Sequence, residues 1–406
     1  MDWQTFARTN AYGGSVDAWV DPASVSAIAG RAPATGAWRI GDPTGHRKFT
    51  RIGDLTTETG GHLPNVTVAW ESWGHLNNTR DNAILVLHAL TGDSHVIGES
   101  GPGHPTPGWW PGVVGPGLAL DTDRYFVVAP NVLGGCQGTT GPASLAPDGH
   151  EWGGRFPYLT IRDQVKAHLE FARALEIERF AAVVGGSMGG MHVLEFALLA
   201  PEATERIAVL AAPPTTTANQ IALNSVQLEA IRSDVAFVDG AYYDRPDGDG
   251  PSRGLSLARR AAMLNYRTAR ELNERFERAA QSSLDPLGGG GRFAVESYLD
   301  FHGNRFTRRF DANSYLVLTE AMNSHDVGRG RGGVAAALST VTAKSLVLGI
   351  DTDRYFVLDG QREIAAAMPK SVHGPEPVVL ESAFGHDAFL IEDTAVGEAL
   401  RGLLNS

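Results

Sequence analysis

Short apolar runs alternate with helical patterns along most of the chain from residue 63 onward. Seven runs of four or five residues are rich in Val, Ile, Leu or Ala and predict strands at 66–70, 83–87, 125–129, 181–184, 207–210, 345–348 and 377–380. Because these runs are apolar on both faces, they fit a sheet that helices cover on both sides. Helical spacing follows at 161–172, 361–368 and 394–404. The alternation predicts an α/β fold with a mainly parallel sheet.

The alternation is interrupted between the runs at 207–210 and 345–348. This stretch shows a helical period at 225–232, 255–276 and 315–322, separated by glycine-rich loops. Roughly 110 residues without a strand between two core strands predict an inserted helical lid. The predicted organisation is an extension at 1–45, a core at 46–214 and 325–406, and a lid at 215–324.

Charge and cysteine content exclude several classes of protein. The chain has 34 basic and 46 acidic residues, a net charge of −12, which argues against binding nucleic acid or anionic membranes. Its single cysteine excludes an intramolecular disulfide framework and a cysteine-rich zinc module. No apolar run reaches the ~18 residues of a membrane span, and the first residues lack a secretory signal. We therefore expect an enzyme of the cytoplasm with a compact, loop-rich fold.

The strongest local motif is G-x-S-x-G at residues 185–189. An apolar run precedes it, and a helical pattern follows directly. A serine at a sharp strand-to-helix turn is the arrangement of a nucleophile elbow, in which small neighbours let the backbone segments approach closely. We predict that Ser187 is a nucleophile and that the amide of Met188, at the new helix N-terminus, helps to bind an oxyanion.

A serine nucleophile needs a base and an acid, which this type of fold supplies in the order Ser, Asp or Glu, His. The acid is expected after the strand at 345–348, where Asp351 and Asp353 both stand, and spacing alone does not choose between them. The histidine is expected after the last strand, where His386 stands. The second oxyanion amide is expected in the turn after the strand at 83–87, with Leu90 as the candidate.

Other motifs fail the test of their context. Ser324-His325-Asp326 are chain neighbours and cannot form the spatial relay of a triad. The G-x-G-x-x-G sequence at 328–333 follows a helical pattern rather than a strand, so it does not predict a dinucleotide site. Cys136 has no strand-to-helix turn around it and is interpreted as a packed loop residue. No histidine spacing indicates a metal site.

Several segments together resemble the homoserine O-acetyltransferases. These are His88–His95, the NVLGGCQGTTGP stretch at 131–142, Gly185–Gly190, 323–333 and Gly385-His386-Asp387, and the similarity runs from about Thr50 to Leu404. The first ~40 residues fall outside this resemblance. It implies an α/β-hydrolase fold with a lid, an enzyme of methionine biosynthesis, and a homodimer that forms through the lid.

The resemblance also implies roles for particular residues. Ser187 and His386 match the family's nucleophile and histidine, and the family's Ser-Asp-Arg loop selects Asp353 over Asp351. Two lid residues seven apart, here Arg259 and Tyr266, match the family's substrate arginine and tyrosine.

Homoserine would be held by its two charges. Arg259 would bind the carboxylate, and Asp387 would bind the ammonium. Two stretches depart from relatives: Tyr355-Phe356-Val357 stands where an aromatic residue and then Pro are common, and Pro213–Thr217 is atypical at the lid entrance.

The expected reaction is a ping-pong acyl transfer without a permanently bound cofactor. Acetyl-CoA would acylate Ser187, and L-homoserine would then take the acetyl group. Succinyl-CoA as donor, serine as acceptor, simple ester hydrolysis and a catalytically silent binding protein are the alternatives. Because acetyl-CoA is highly anionic, we expect Arg259, Arg329 and Arg331 to form a positive mouth on the acidic body.

Overall fold

The structure, a computed structural model, describes residues 28–406, so most of the predicted N-terminal extension lies outside the described residues. Its strands are β1 (Lys48–Thr56), β2 (His62–Trp73), β3 (Ala83–Leu87), β4 (Val114–Gly115), β5 (Leu120–Asp121), β6 (Phe126–Pro130), β7 (Ala182–Gly186), β8 (Arg206–Leu210), β9 (Lys344–Ile350) and β10 (Val378–Leu380). Eight of them form one sheet in the order β1-β2-β6-β3-β7-β8-β9-β10, and β4 pairs only with β5. β2 runs antiparallel to β1 and β6, and every later pair in the sheet is parallel. The predicted α/β fold with a mainly parallel sheet is confirmed.

Ten α-helices accompany this sheet within residues 28–406. They are α1 (Ile161–Ala174), α2 (Met188–Leu199), α3 (Ala218–Arg232), α4 (Ser252–Tyr266), α5 (Ala269–Phe276), α6 (Ala294–Phe306), α7 (Ala312–Asn323), α8 (Val334–Leu338), α9 (Leu358–Ala367) and α10 (Asp393–Leu404). None of these helices is both long and apolar enough to cross a membrane.

Strand residues alternate between two apolar clusters, one on each face of the sheet. Leu85 and Leu87 of β3 pack with α1 and α2, whereas Ile84 and Val86 pack on the other face with α10. Both sets are almost completely buried. The prediction that helices cover both faces is therefore confirmed, and the sheet is held between two apolar layers.

Helices α3 to α7 lie between β8 and β9 and form the region predicted as a lid. The chain enters and leaves it side by side, since Thr215 forms an isolated bridge with Asp326 and the Thr216 amide donates to the His325 carbonyl at 2.9 Å. Leu228 and Tyr315 of this region belong to the same apolar cluster as Leu85. The lid is thus packed firmly on the core, and its limits as a separate domain stay a prediction.

The helix predicted at 255–276 is two helices. α4 ends at Tyr266, Arg267 is extended with φ −91° and ψ 151°, and the Thr268 hydroxyl accepts from the Glu271 amide at 3.0 Å to begin α5. Thr is a preferred N-cap, so it starts a new helix even where the apolar period continues. This break leaves the half-buried Tyr266 at the end of α4, where it reaches the site described next.

Candidate active site

Ser187 lies at the sharp turn between β7 and α2. Its φ of 58° and ψ of −124° are strained for a residue with a Cβ. Small neighbours make the turn feasible, because a Cβ at Gly189 would lie only 2.1 Å from the carbonyl oxygen of Leu87. A Cβ at Gly185 would lie 2.4 Å from the carbonyl oxygen of Gly189. Any larger residue at these two positions would push α2 away from the sheet and displace Ser187.

The structure brings Ser187, His386 and Asp353 into one hydrogen-bonded series. His386 Nε2 lies 2.8 Å from Ser187 Oγ, and His386 Nδ1 lies 2.6 Å from Asp353 Oδ2. Asp353 Oδ1 accepts from the amides of Tyr355 at 2.8 Å and Phe356 at 2.9 Å. All three members of the series are at most 5% exposed.

Asp351, the alternative acid, has a different position. It is exposed, and its Oδ1 accepts from the backbone amide of Ser382 at 3.0 Å. This contact joins the loop after β9 to the loop after β10, which carries His386. Asp353 is therefore the aspartate that contacts the histidine, and Asp351 links the two loops at the protein surface.

His386 is surrounded by aromatic rings and carboxylates. The ring centroids of Phe356, Tyr266 and Phe389 lie 5.0, 5.4 and 5.8 Å from its own. Burial alone lowers the pKa of His386, but the charge and hydrogen bond of Asp353, with the charge of Asp387, outweigh burial and raise it above its ordinary value. The imidazole is thus a stronger base than an ordinary buried histidine.

The unusual Val357 does not disturb this loop. Its φ of −55° lies in the range that proline fixes, so the backbone has a conformation that the family's common Pro would also adopt. Val357 caps α9, and the amides of the two preceding residues still bind Asp353.

Both predicted oxyanion residues lie beside Ser187. Met188 begins α2, and the first amides of a helix have no acceptor within the helix. Leu90 lies in the turn after β3 and lines the same pocket as Ser187. β3 and β7 are neighbouring parallel strands with Leu87 opposite Gly185, so their carboxyl ends bring these two segments together.

A pocket of about 1140 Å³, part of it open to solvent, extends from Ser187 to the lid. The loop after β3, the loop after β10 and the lid each supply part of its wall. Its lining includes Ala89, Leu90, Thr91, Gly92, Asp93, Thr106, Pro107, Trp109, Ser187, Arg259, Tyr266, His302, Arg305, Phe306, Arg309, His386, Asp387, Phe389 and Leu390. Both charged residues predicted to contact substrate, Arg259 and Asp387, are among them.

Arg259 points into this pocket from α4. One of its guanidinium nitrogens donates to the Thr91 hydroxyl at 3.3 Å, and the group lies 5.1 Å above the Phe306 ring. Among residues 28–406, no carboxylate lies within ion-pair distance of it. A guanidinium held in a pocket in this way is suited to an anionic group of a ligand.

Asp387 has a neighbour that the sequence did not indicate. Its Oδ2 lies 3.1 Å from the Nε of the buried Arg267, which also forms an ion pair with Glu271 at 2.8 Å. Arg267 is the residue at the break between α4 and α5, where the helical pattern predicted no special role. A ligand ammonium at Asp387 would therefore share that carboxylate with Arg267.

The predicted positive mouth is wrong in two of its three arginines. Arg329 forms an ion pair with Glu58 at 2.8 Å, and Arg331 makes two contacts of 3.0 and 2.7 Å to Glu195, which is 1% exposed. Neither lines the pocket, because the glycine-rich loop that carries them is held by Glu58 and by Glu195 of α2. The arginines that accompany Arg259 in the pocket wall are Arg305 and Arg309. In the sequence, the only sign that these two arginines lie on the same side of the lid is their spacing of four residues.

The rejected motifs lie outside the pocket. His325 is buried, and its Nε2 lies 3.1 Å from the Pro213 carbonyl oxygen. Cys136 is also buried, and burial is the main cause that raises the pKa of its thiol to about 12. A thiol with such a pKa is protonated at neutral pH and is a poor nucleophile.

The sequence analysis did not predict one cluster of potential metal ligands. The described Glu71, His95 and His104 are buried and have ligand atoms within 4.8 Å of one another. His95 Nδ1 donates to Glu71 at 2.9 Å, Ser94 donates to the same carboxylate at 3.0 Å, and His104 Nε2 accepts from the His46 amide at 2.9 Å. Because these bonds engage most of the lone pairs that a metal would need, the cluster fits a buried ion pair that anchors the loop after β3.

Comparisons with known proteins agree with this geometry. A family model of the α/β hydrolase fold matches residues 82–393. The homoserine O-acetyltransferase of Leifsonia xyli subsp. xyli (strain CTCB07) is 61% identical over 403 residues, which cover 99% of each chain. That of Thermobifida fusca (strain YX) is 58% identical over 373 residues, which cover 92% of this chain and 97% of the relative. The expectation that the first ~40 residues fall outside the resemblance is wrong for the Leifsonia relative, whose alignment includes them.

Solved structures with the same fold include transferases and esterases. The homoserine O-acetyltransferase from Bacillus anthracis is 26% identical with a TM-score of 0.78, over 89% of this chain and 97% of that chain. Esterase E22 is 27% identical with a TM-score of 0.79, over 88% of this chain and 99% of that chain. The resemblance drawn from the sequence motifs is confirmed, and this chain belongs to the homoserine O-acetyltransferase family of α/β-hydrolase-fold proteins.

Proposed function

We propose that this chain transfers the acetyl group of acetyl-CoA to the hydroxyl of L-homoserine through an acetyl–Ser187 intermediate. The observation that carries the proposal is the series Ser187–His386–Asp353 at the base of a pocket that also presents Arg259. A serine activated by an oriented histidine supports acyl transfer, and the guanidinium of Arg259, which has no carboxylate partner among residues 28–406, supports an acceptor with a carboxylate. The names of close relatives support the same reaction.

In the first half-reaction, Ser187 Oγ attacks the thioester carbon while its proton moves to His386 Nε2. The amides of Leu90 and Met188 stabilise the negative charge on the carbonyl oxygen. The carbon–sulfur bond then breaks, and CoA leaves with the proton from His386. Asp353 keeps the proton of neutral His386 on Nδ1 and stabilises the charged imidazole.

In the second half-reaction, the homoserine hydroxyl gives its proton to His386 and attacks the acetyl carbon. The ester bond to Ser187 breaks, and Ser187 recovers the proton. Arg259 holds the substrate carboxylate and Asp387 the ammonium, while Tyr266 closes the pocket beside His386. The lid limits the access of water, which would otherwise hydrolyse the intermediate.

Thiol release from acetyl-CoA, measured with and without L-homoserine, tests the reaction. We expect release that depends on homoserine, and release that is indifferent to homoserine would refute transfer. Parallel runs with succinyl-CoA and with L-serine decide the donor and the acceptor.

Arg259→Ala tests the acceptor site, with Arg253→Ala as its control because Arg253 is exposed on the same helix. Losing a charge-assisted hydrogen bond should raise the KM for homoserine about 10- to 100-fold and change the rate of acylation much less. Arg253→Ala should change neither. Equal damage to both half-reactions would contradict the assigned role of Arg259.

Ester hydrolysis is the second candidate function. It is favoured by the similarity to esterase E22, whose TM-score and sequence identity to this chain are close to those of the Bacillus anthracis transferase. Acetate release from acetyl-CoA or a simple acetyl ester, at a rate that homoserine does not change, would favour it. The opposite charges of Arg259 and Asp387 in the same pocket support a zwitterionic acceptor instead.

We also propose a homodimer that forms through the lid. Large apolar side chains on α3 and α4 are exposed, at 40% for Ile221, 63% for Val226, 52% for Leu257 and 47% for Leu264. Light scattering should give the mass of a dimer, and Val226→Glu with Leu257→Glu should give a monomer. A monomeric parent protein would refute this proposal. The cytoplasmic location stays a prediction.

A further inference from the structure

Two peptide groups around Leu90, Ala89–Leu90 and Thr91–Gly92, are held by side chains from different parts of the fold. The carbonyl oxygen of Ala89 lies 2.8 Å from His88 Nδ1 and also accepts from the Gly92 amide at 2.9 Å. The carbonyl oxygen of Thr91 accepts from both terminal nitrogens of Arg309, at 2.8 and 2.7 Å. His88 follows β3 in the core, whereas Arg309 follows α6 in the lid.

The proton of His88 can be assigned from its partners. Nε2 accepts from the backbone amide of Val132 at 3.0 Å, so it carries no proton. Burial is the main cause that lowers the pKa of His88, so the ring is neutral at neutral pH and its single proton is on Nδ1. That proton is donated to the carbonyl oxygen of Ala89.

This bond fixes the direction of the Leu90 amide. In a trans peptide the carbonyl and the following N–H point in opposite directions. The Ala89 carbonyl and the Leu90 amide belong to one such peptide, so a carbonyl held towards His88 leaves the amide directed away from that ring. Leu90 lines the pocket beside Ser187, where an oxyanion would form.

Arg309 restrains the Thr91–Gly92 peptide of the same loop. Its two-nitrogen contact with one carbonyl oxygen sets the position of Thr91 more firmly than a single bond would. The same guanidinium lies 3.7 Å from Asp93, whose pKa it helps to lower against the opposing effect of burial. The turn from residue 89 to residue 93 is thereby attached to the lid.

We propose that His88 and Arg309 are positioning residues that hold the Leu90 amide in its oxyanion-binding direction, one from the core and one from the lid. This inference rests on the proposed function, which requires an oxyanion site at Leu90. It makes the lid part of the acylation machinery, because a lid that moved away from the core would release Thr91.

Two substitutions of His88 separate its two hydrogen bonds. Asn places an amide donor near the position of Nδ1, whereas Gln places an acceptor near the position of Nε2. The probe is p-nitrophenyl acetate, a neutral acetyl donor, and the readout is the rate constant of the nitrophenol burst. We expect His88→Gln to lower this rate constant about 10- to 100-fold with little change in KM, and His88→Asn to retain most of it. Equal losses in both variants, or no loss in His88→Gln, would overturn the inference.

Arg309 provides an independent arm if a His88 variant does not fold. Arg309→Met should lower the burst rate constant at least tenfold, and Arg309→Lys should restore part of the loss because Lys keeps one donor. Arg308→Met is the matched control, since the adjacent Arg308 also donates to backbone carbonyls, those of Ile28 and Gly30, on another surface. It should keep the parent rate. A loss in Arg308→Met equal to that in Arg309→Met, or an unchanged Arg309→Met, would overturn the inference.

Failure of the proposed function gives a different result. A parent enzyme that forms acetyl–Ser187 from p-nitrophenyl acetate but does not acetylate homoserine would refute the proposed function, and the variants would still report on the oxyanion loop. A parent enzyme that performs both steps, with variants that acylate equally fast, would refute this inference alone.

Discussion

Replacing Asp353 by Asn tests how the histidine is held. Asp353 Oδ1 accepts from two backbone amides, so the Asn oxygen must take that side and its NH2 group must face His386 Nδ1. Nδ1 then has to accept, which moves the histidine proton to Nε2. That proton would face Ser187 Oγ, 2.8 Å away in the parent, and Nε2 could not remove the serine proton.

The size of the effect follows from the lost tautomer. Asn in place of Asp in a Ser-His-Asp series lowers kcat about 10⁴-fold, which corresponds to about 5.4 kcal/mol of transition-state free energy. The free energy of unfolding should change by only about 1 kcal/mol, because the two backbone bonds to the side chain remain. A large loss of rate with a small loss of stability is therefore the expected signature.

The assay is the burst of nitrophenol from p-nitrophenyl acetate, with urea unfolding measured in parallel. Asp351→Asn is the matched control, because Asp351 is exposed in the same loop and contacts a backbone amide rather than His386. It should keep the rate within a few-fold. An Asp353→Asn variant that keeps a tenth of the parent rate, or an Asp351→Asn variant that loses as much, would refute the reasoning.

Three further predictions concern pH and a buried ion pair. The pKa of His386 is raised above its ordinary value, and acylation should be lost as the pH falls through this pKa. A pH–rate profile with its midpoint below about pH 6.5 would contradict this prediction. Burial lowers the pKa of His168 to about 3 and that of His325 to about 4. Below about pH 6.5 these histidines therefore bind more protons in the unfolded chain than in the folded one, and the free energy of unfolding decreases from there towards pH 4. Each should cost about 1.4 kcal/mol at pH 5.5, and His168→Leu should remove its share of that pH dependence in urea unfolding. Arg331→Met leaves the buried Glu195 with Arg162 alone and should lower stability by about 2 kcal/mol at unchanged acylation rate; unchanged stability would show that the contact contributes nothing.

The nucleophile and the central strands are predictable because local sequence dictates them. G-x-S-x-G specifies a strained turn that only small neighbours permit, and short apolar runs bounded by turn residues, such as β3, favour buried strands. The histidine follows from chain order once the turn is placed. Spacing does not choose between the two aspartates of one loop. The family resemblance selected Asp353, and the loop conformation turns this residue rather than Asp351 towards His386.

The elements that were missed have weak or mixed patterns. β1 is an edge strand in which most residues are exposed, three of the nine are charged, and the register shifts around Gly53, so no alternation marks it. α6 has Ser297 and Gly303 on its buried side, and these two positions interrupt its apolar helical period. The end of α4 depends on the N-cap of Thr268, a single-residue signal within an otherwise continuous apolar period.

The positions of the arginines depend on contacts between distant parts of the chain. Arg309 and Thr91 are 218 residues apart, and Arg331 and Glu195 are 136 apart, so no local pattern pairs them. The two arginines of the glycine-rich loop suggested an anion site because the sequence does not show that Glu195 of α2 is the partner of Arg331. The net charge of the chain does not distinguish the arginines that line the pocket from those that form ion pairs with carboxylates elsewhere.

The most direct test of the central claim is the intact mass of the enzyme after brief exposure to acetyl-CoA and then to L-homoserine. We expect an acetyl increment on Ser187 that persists in buffer alone, disappears on addition of homoserine with formation of O-acetylhomoserine, and never forms in Ser187→Ala. An increment that survives in Ser187→Ala, or one that decays equally fast with and without homoserine, would contradict the account.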